Sequence, residues 1–300
     1  MDRDLLQHLP VVATVARRRS FAAAAAELGL GASAVSHAVR LVEERLRAPL
    51  FARTTRSVSV TEAGEAFLAR VLPALEVINE AAEATLATKG RVSGVLRINA
   101  PRVAVPMVLV DLLHELAGLH PDLTVEVTTD DALIDIVAGG YDAGIRLGEM
   151  IDEDMVAVRL TPPFKAIIVA SPAHLASAAP IKELADLKER NCIGFRQASR
   201  GGTYAWEVLE GGQDRTVATR GTARVTDPLL ALDLALAGVG IAYLFEPLAR
   251  RHIRSGALRW LLPESAVEEP GLFLYFPRRA SEAPKLRAFI DVARMQVQRT

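Results

Sequence analysis

Ser33, Ser36, His37 and Arg40 recur at i, i+3, i+4 and i+7, so a helix over residues 32–46 lines them along one face. Two hydroxyls, an imidazole and a guanidinium on one edge can hydrogen-bond to base edges in a DNA major groove and to the phosphates beside it. The same stretch carries a second stripe for burial, made of Val35, Val39, Val42 and Leu46. What must position that edge lies just before it: Phe21, Ala24, Ala25 and Leu28 share one face of a short helix, and Leu28-Gly29-Leu30-Gly31 breaks it. Glycine in a tight turn between two crossing helices is what helix-turn-helix geometry asks for. Leu5, Leu9, Val12 and Ala16 repeat as a first helix able to cover the pair, closed by Arg17-Arg18-Arg19. Those cations suit a helix C-terminus as readily as a phosphate.

Downstream, Pro49 ends the helix and ARTTRSVSVT reads as a ribbon, with Val58 and Val60 alternating with polar residues and Arg53 and Arg56 flanking Thr54-Thr55. As the wing of a hairpin it would lay two guanidinium groups beside a duplex. From Thr61 to about Lys89 the apolar residues step by 4 and 3 (Phe67, Val71, Ala74, Ile78, Ala81), with a parallel stripe of Leu68, Leu72, Leu75, Ala82 and Leu86. A helix of this length spans about 40 Å and is too apolar to stand alone, which points to self-association, with burial in a globular core as the other reading. Pro73 predicts a kink within it.

Charge divides the chain in the same place. Residues 1–60 hold nine Arg against five acids, a net of +4, whereas the whole chain is −1, so the remainder is acidic. A basic head on an acidic body fits nucleic-acid contact confined to the head, although an ordinary charged surface gives a similar balance. One cysteine, Cys192, excludes a disulfide framework and a multi-cysteine zinc site. The opening MDRDLLQHLPVV lacks the layout of a secretory signal and no run of eighteen apolar residues occurs, so a cytoplasmic setting without membrane contact is expected.

After a linker at Lys89–Gly94 strands and helices alternate. Strands are expected at VLRINA, LTVEVT, YDAGIRLG, MVAVRL, FKAIIVA, NCIGF, TVATR, ARVT, GIAYL, LRWLL and LFLYFP. Helices are expected around 103–118, 131–138, 173–188, 228–237, 246–254 and 283–298. The pattern argues an α/β body with mostly parallel sheets. Prolines at Thr161-Pro162-Pro163 and Leu262-Pro263 suggest two crossings between two lobes, with a ligand cleft at strand C-termini and helix N-termini.

The stretch SFAAAAAELGLGASAVSHAVRLVEERLRAPLFARTTRSVSVTEAG resembles the N-terminal domain of LysR-type transcriptional regulators, through SAVS, PLFxR and the closing TEAG at these spacings. YDAGIRLGE, MVAVRL, VASPAHL, GVGIAYL and FLYFPRR are similar to the two-lobed effector domain of that family, which shares the fold of type 2 periplasmic binding proteins. The resemblance covers essentially the whole chain. It implies a multi-domain protein: an all-α winged helix-turn-helix head at 1–61, a long linker helix for dimerisation at 62–90 and an α/β two-lobed periplasmic-binding-like domain at 91–300. Lobe I is expected at about 94–161 and 264–300, and lobe II at about 162–263. It places Ala32, Ser33, Ser36, His37 and Arg40 on the recognition helix, and Arg53, Thr54 and Arg56 on the wing. The family often has Ser or Thr at the position of Gly31, Gln or Pro at that of Ala32 and Gly at that of Arg47. Ala32 in place of Gln removes an adenine-pairing amide and leaves apolar contact with a thymine methyl.

The resemblance also implies a small-molecule site between the lobes. Pro101, Arg102 and Val103 follow the first strand, Arg146 ends DAGIR and Arg196 follows NCIGF, three guanidinium groups that suit an anionic effector, with a salt bridge on a lobe surface or between subunits as the other reading of each. Thr203 and Asp227 are added because each precedes an element facing the cleft. The partners implied are double-stranded DNA with an interrupted palindrome, the effector and a second copy of the chain, assembling to a homotetramer, with RNA polymerase as a further partner. No cofactor, metal or catalytic role is expected: G-x-S-x-G, P-loop, G-x-G-x-x-G and H-E-x-x-H are all missing. A solute-binding protein and an α/β enzyme acting on a small acid are the competing classes.

Overall fold

Val12, Val15, Val35, Val39 and Val42 have no exposed surface, and they sit where three helices meet: α1 (Arg3–Arg18), α2 (Phe21–Leu28) and α3 (Ala32–Leu46). Burying each valine contributes roughly 2 kcal/mol, so the stripe holds α3 in place and leaves its opposite edge to solvent. The computed structural model describes residues 3–53, 58–87, 92–151, 154–176, 179–196 and 202–299, in two compact units, Met1–Gly90 and Arg91–Thr300.

In the first unit Ser20 caps α2, its Oγ accepting from Ala23 N at 3.2 Å, and Gly29 closes that helix at φ 64°. The antiparallel hairpin β1 (Phe51–Arg53) and β2 (Val58–Val60) follows, with Phe51 opposite Val60 and Phe51 edge-on to Phe21 at 6.1 Å between ring centroids. Helix α4 (Glu62–Ala87) then runs through Pro73. Its first turn is tied to the hairpin: Thr61 N donates to Leu50 O at 2.9 Å, Thr61 Oγ1 donates to Pro49 O at 2.6 Å, and the same oxygen accepts from Gly64 N at 3.0 Å. Gly64 is required there, because an added Cβ would lie 2.2 Å from Leu50 O. Phe67, Leu68 and Leu72 pack on the head core, whereas further along Val77 and Ile78 are 58% and 63% exposed.

The second unit begins with β3 (Gly94–Ala100), a π-helical turn at Val105–Leu109 leading into α5 (Val110–Leu119), then β4 (Leu123–Thr129), β5 (Ala143–Leu147) and β6 (Met155–Arg159). Next come β7 (Phe164–Ala170), α6 (Pro172–Ala176), β8 (Gly194–Phe195), β9 (Trp206–Glu210), β10 (Gln213–Val217) and β11 (Arg224–Val225). The chain continues through α7 (Pro228–Leu236), β12 (Ala242–Phe245), α8 (Glu246–Arg254), β13 (Arg259–Leu261), β14 (Val267–Glu269), β15 (Leu272–Pro277) and α9 (Pro284–Arg299).

Two large sheets result, and neither is mostly parallel; among the described residues β8 and β11 also pair in parallel and β9 and β10 antiparallel as separate two-stranded sheets. The first has the order β4-β3-β5-β15-β6, parallel across β4, β3 and β5 but antiparallel where β15 enters between β5 and β6. The second is antiparallel throughout, with β7 pairing β12, β13 and β14. Parallel neighbours need a long crossover. The β5-to-β6 link is too short to supply one, and β15 returns from the other lobe. α5 and α9 cover one face of the first sheet over Ile98, Leu112, Ile145, Leu274 and Phe289, and α7 and α8 cover the second over Ile167, Val169, Leu232 and Leu248.

Three expectations are corrected. No helix forms over 131–138: the side chain of Asp130 accepts from Ala132 N, and Asp135 Oδ1 accepts from Val137 N and Ala138 N at 2.9 and 3.0 Å. Aspartates that bond the local backbone in this way compete with the helical ladder. The return crossing lies at Pro270-Gly271, not Leu262-Pro263, because Val267–Glu269 still pairs with β7. Finally, the strand expected at TVATR is shifted: it runs over Gln213–Val217 and pairs with β9, which was not expected, in a hairpin whose Gly211 and Gly212 have φ of 59° and 79°, the tight turn that two successive left-handed residues make.

Candidate nucleic-acid interface and effector cleft

The buried valines of α3 leave Ala32, Ser33, His37 and Arg40 exposed and Ser36 half-buried on its outer side. Arg40 is held from two directions: its Nη2 donates to His37 Nδ1 at 2.9 Å, and its Nε lies 3.6 Å from Glu44 Oε1. Gly31 starts the helix without a side-chain cap, and Arg47 ends it in the left-handed region at φ 53°. At the helix end, Glu43 Oε1 accepts from Leu50 N and Phe51 N at 2.8 and 3.2 Å, fixing where the wing leaves the helices. Arg53 closes β1 opposite Val58; its side chain, together with Thr54 and Arg56, lies outside the described residues. Arg17 and Arg18 both pair with Glu27 on α2, so two of the three arginines of the basic triplet brace the head.

In the second unit the residues expected at the cleft separate into groups. Arg102 follows β3; its backbone N–H donates to Asp131 Oδ1 at 2.9 Å and its Nη1 to Asp131 Oδ2 at 2.5 Å. Its Nε lies 3.8 Å from Asp227 Oδ2, while the other oxygen of Asp227 accepts from Leu229 N at 2.8 Å and caps α7. The hydrogen bond that Arg102 donates to the Asp131 carboxylate raises the Arg102 pKa above its ordinary value. Pro101, Arg102, Asp131 and Asp227 therefore meet at the junction of the two sheets' helices and strands. Val103 is buried beside Ile167, Val169 and Leu232, so it packs into the second sheet's core.

Arg146 does not present a free guanidinium. It is 2% exposed, and its Nη2 donates to Asn99 Oδ1 and Ala132 O at 2.6 and 2.7 Å and its Nη1 to Ile145 O. Burial lowers its pKa, and its Nε is buried without a partner. Its guanidinium holds the loop that replaces the expected helix. Arg196 is exposed, forms an antiparallel bridge with Thr203 and donates its N–H to Val225 O at 2.8 Å, which brings Arg196 and Thr203 to each other.

Two groupings were missed in the sequence. Asp130 and Asp131, adjacent at the end of β4, supply the partner of Arg102; a pair of acids at a strand C-terminus was the available signal. Glu149, Glu207 and Glu269 come from three separate segments and have no local signature. Burial, with the charges of Glu149 and Glu207 adding to it, pushes the Glu269 carboxyl up to about 7. Burial likewise raises Tyr204 and Tyr243, the latter stacked on Trp206 at 5.6 Å, and raises the Cys192 thiol to about 12, leaving it unreactive. Among the described residues no helix is long and apolar enough to cross a membrane, and no group of three or more His, Cys, Asp or Glu is arranged to hold a metal ion.

Residues 6–65 match the family described as bacterial regulatory helix-turn-helix protein, lysR family, and residues 89–298 match the LysR substrate binding domain. The uncharacterized HTH-type transcriptional regulator YcaN of Escherichia coli (strain K12) is 38% identical over 277 residues, 92% of this chain and 90% of that protein. The HTH-type transcriptional regulator PgrR of the same organism is 33% identical over 291 residues, 97% of each. The solved structure of CrgA, a LysR-type transcriptional regulator from Neisseria meningitidis, is 26% identical and superposes with a TM-score of 0.62, covering 97% of this chain and 98% of that one. With a helix-turn-helix head, an α/β effector-binding unit and these relatives along nearly its full length, the chain belongs to the LysR family of DNA-binding transcriptional regulators.

Proposed function

We propose that this regulator reads its operator with Ala32, Ser33, Ser36, His37 and Arg40 on α3 and with Arg53, Thr54 and Arg56 on the wing. The observation that carries this reading is the exposed polar and basic edge of α3 directly opposite its buried valine stripe. Phosphate contacts would fix the register, and the α3 edge would choose the sequence. Replacing Arg53 with Ala should weaken binding to all duplexes alike and lower the salt slope by about one. Unchanged affinity at moderate salt would remove the wing from the interface.

The exposed Val77 and Ile78 on α4 support a homodimer through the linker helix, which would set two heads on an interrupted palindrome; a homotetramer and contact with RNA polymerase extend the same reading. The domains would then be the head at 1–61, its dimerisation helix at 62–90 and the effector domain at 91–300. The chain works in the cytoplasm and catalyses no reaction.

The effector site would centre on Pro101, Arg102 and Asp227, with Val103, Arg146, Arg196 and Thr203 completing the residues expected to form it. An anionic group on the effector would compete with Asp227 for the Arg102 guanidinium. Because Asp130 and Asp131 also surround that guanidinium, the same effector should carry a cationic group as well, as an amino acid does. The ligand would act by favouring one lobe arrangement over another. Calorimetric titration with amino acids and with simple carboxylates, on the wild type and on Arg102→Ala, tests this: amino acids should bind and the variant should lose them.

A further inference from the structure

The recognition edge contains one pair of side chains whose hydrogen-bonding roles are fixed by each other. A guanidinium only donates, so in the 2.9 Å contact between Arg40 Nη2 and His37 Nδ1 the imidazole nitrogen accepts. An imidazole nitrogen that accepts carries no proton, which puts the ring's proton on Nε2 and makes the free end of His37 a donor. The guanidinium is gripped at one N–H of Nη2 by His37, while its Nε side faces Glu44 at 3.6 Å. Nη1 keeps both of its N–H groups and Nη2 its second one; the end-on edge is made by one hydrogen of each. That edge is the one that forms a fork onto two adjacent acceptors.

His37 and Arg40 therefore present donors alone, side by side on an exposed helix face. In the major groove guanine shows two acceptors, N7 and O6, whereas adenine pairs an acceptor with a donor and cytosine shows a donor. Neighbouring side chains do not fix a base in this way: Ser33 and Ser36 can donate or accept, and Ala32 offers a methyl. We propose that His37 and Arg40 act as one donor-only reading unit, in which His37 aims the Arg40 fork at a guanine and its own Nε2–H meets an acceptor on the adjacent base pair. The inference rests on the assignment of α3 as the DNA-reading helix and names the base that helix selects.

Selection from randomised duplexes with the full-length protein, followed by titration of the selected site, tests it. The wild type should select a guanine in each half-site, and replacing that guanine with 7-deazaguanine, which lacks N7, should weaken binding about tenfold. Arg40→Ala should lose the guanine preference and the 7-deaza effect together. His37→Asn keeps an acceptor near the Nδ1 position but no donor at Nε2, so it should retain the guanine and lose the preference at the adjacent pair. His37→Leu should lose both. Both positions are exposed, so unchanged thermal unfolding of each variant separates reading from folding.

A selected site without guanine, or a guanine preference that survives His37→Leu intact, would overturn the unit while leaving α3 as the reading helix. Duplex binding by the wild type with no sequence preference would overturn both the unit and the assignment of α3.

Discussion

Arg102 Nε lies 3.8 Å from Asp227 Oδ2, and through this pair the residue that leaves the first sheet meets the residue that caps the first long helix over the second. Both side chains keep more than a third of their surface in water, so the pair adds only ~0–1 kcal/mol to stability. Its value lies in being exchangeable. Arg102→Ala should leave the thermal midpoint nearly unchanged and DNA binding without ligand intact, yet abolish the ligand-induced change in footprint. Amino-acid affinity unaltered within twofold would exclude Arg102 from the site.

Glu269 closes β14 opposite Phe164, immediately before the chain crosses back at Pro270-Gly271, and its carboxyl is raised to about 7 by burial and by Glu149 and Glu207. A carboxyl raised on folding stabilises the folded state when protonated. That contribution is complete below the ordinary carboxylate range and fades as pH rises through about 7. Allowing for partial solvent screening, ~1–2 kcal/mol should be lost between about pH 5 and 8. Thermal melts across this range should flatten in Glu269→Gln; an identical slope in the variant would assign the effect elsewhere.

Arg47 holds φ 53° at the end of α3, a conformation that is costly for any residue with a Cβ. Arg47→Gly should raise head stability by ~1 kcal/mol in urea unfolding. The same variant reports on the DNA: a salt slope reduced by about one would place the side chain on a phosphate.

Glu43→Ala should do the opposite. It strands the N–H groups of Leu50 and Phe51 in a partly buried corner, at a cost of ~2 kcal/mol, and it loosens the wing. Chemical unfolding, together with reduced protection of the Leu50 and Phe51 amides in hydrogen exchange, would show both effects.

The head was legible because its signals are local: a valine stripe with helical spacing, a glycine break and an alternating ribbon each lie within fifteen residues or fewer, and the periodicity that exposes Ser33, His37 and Arg40 is the one that buries Val35, Val39 and Val42. In the body, strands could be placed but not paired. The antiparallel entry of β15 between β5 and β6 depends on residues more than a hundred positions apart. Arg146 illustrates the same limit at a site: its position at a strand end suggested a ligand contact, while its partners, Asn99 and Ala132, are set by register and by a loop whose aspartates displaced a helix. The Glu149, Glu207 and Glu269 grouping had no sequence signal at all.

Because Thr61 and Gly64 hold the first turn of α4 against Pro49 and Leu50 at the foot of the wing, that end of the helix is fixed to the head and the rest of α4 extends from it as an arm. Its 26 residues make it ~39 Å long. A tilt of about 10° at one end therefore carries the other by ~7 Å, the rise of about two base pairs. In the homodimer proposed above, a change of about 10° where two such helices meet would shift a head by about two base pairs along its operator.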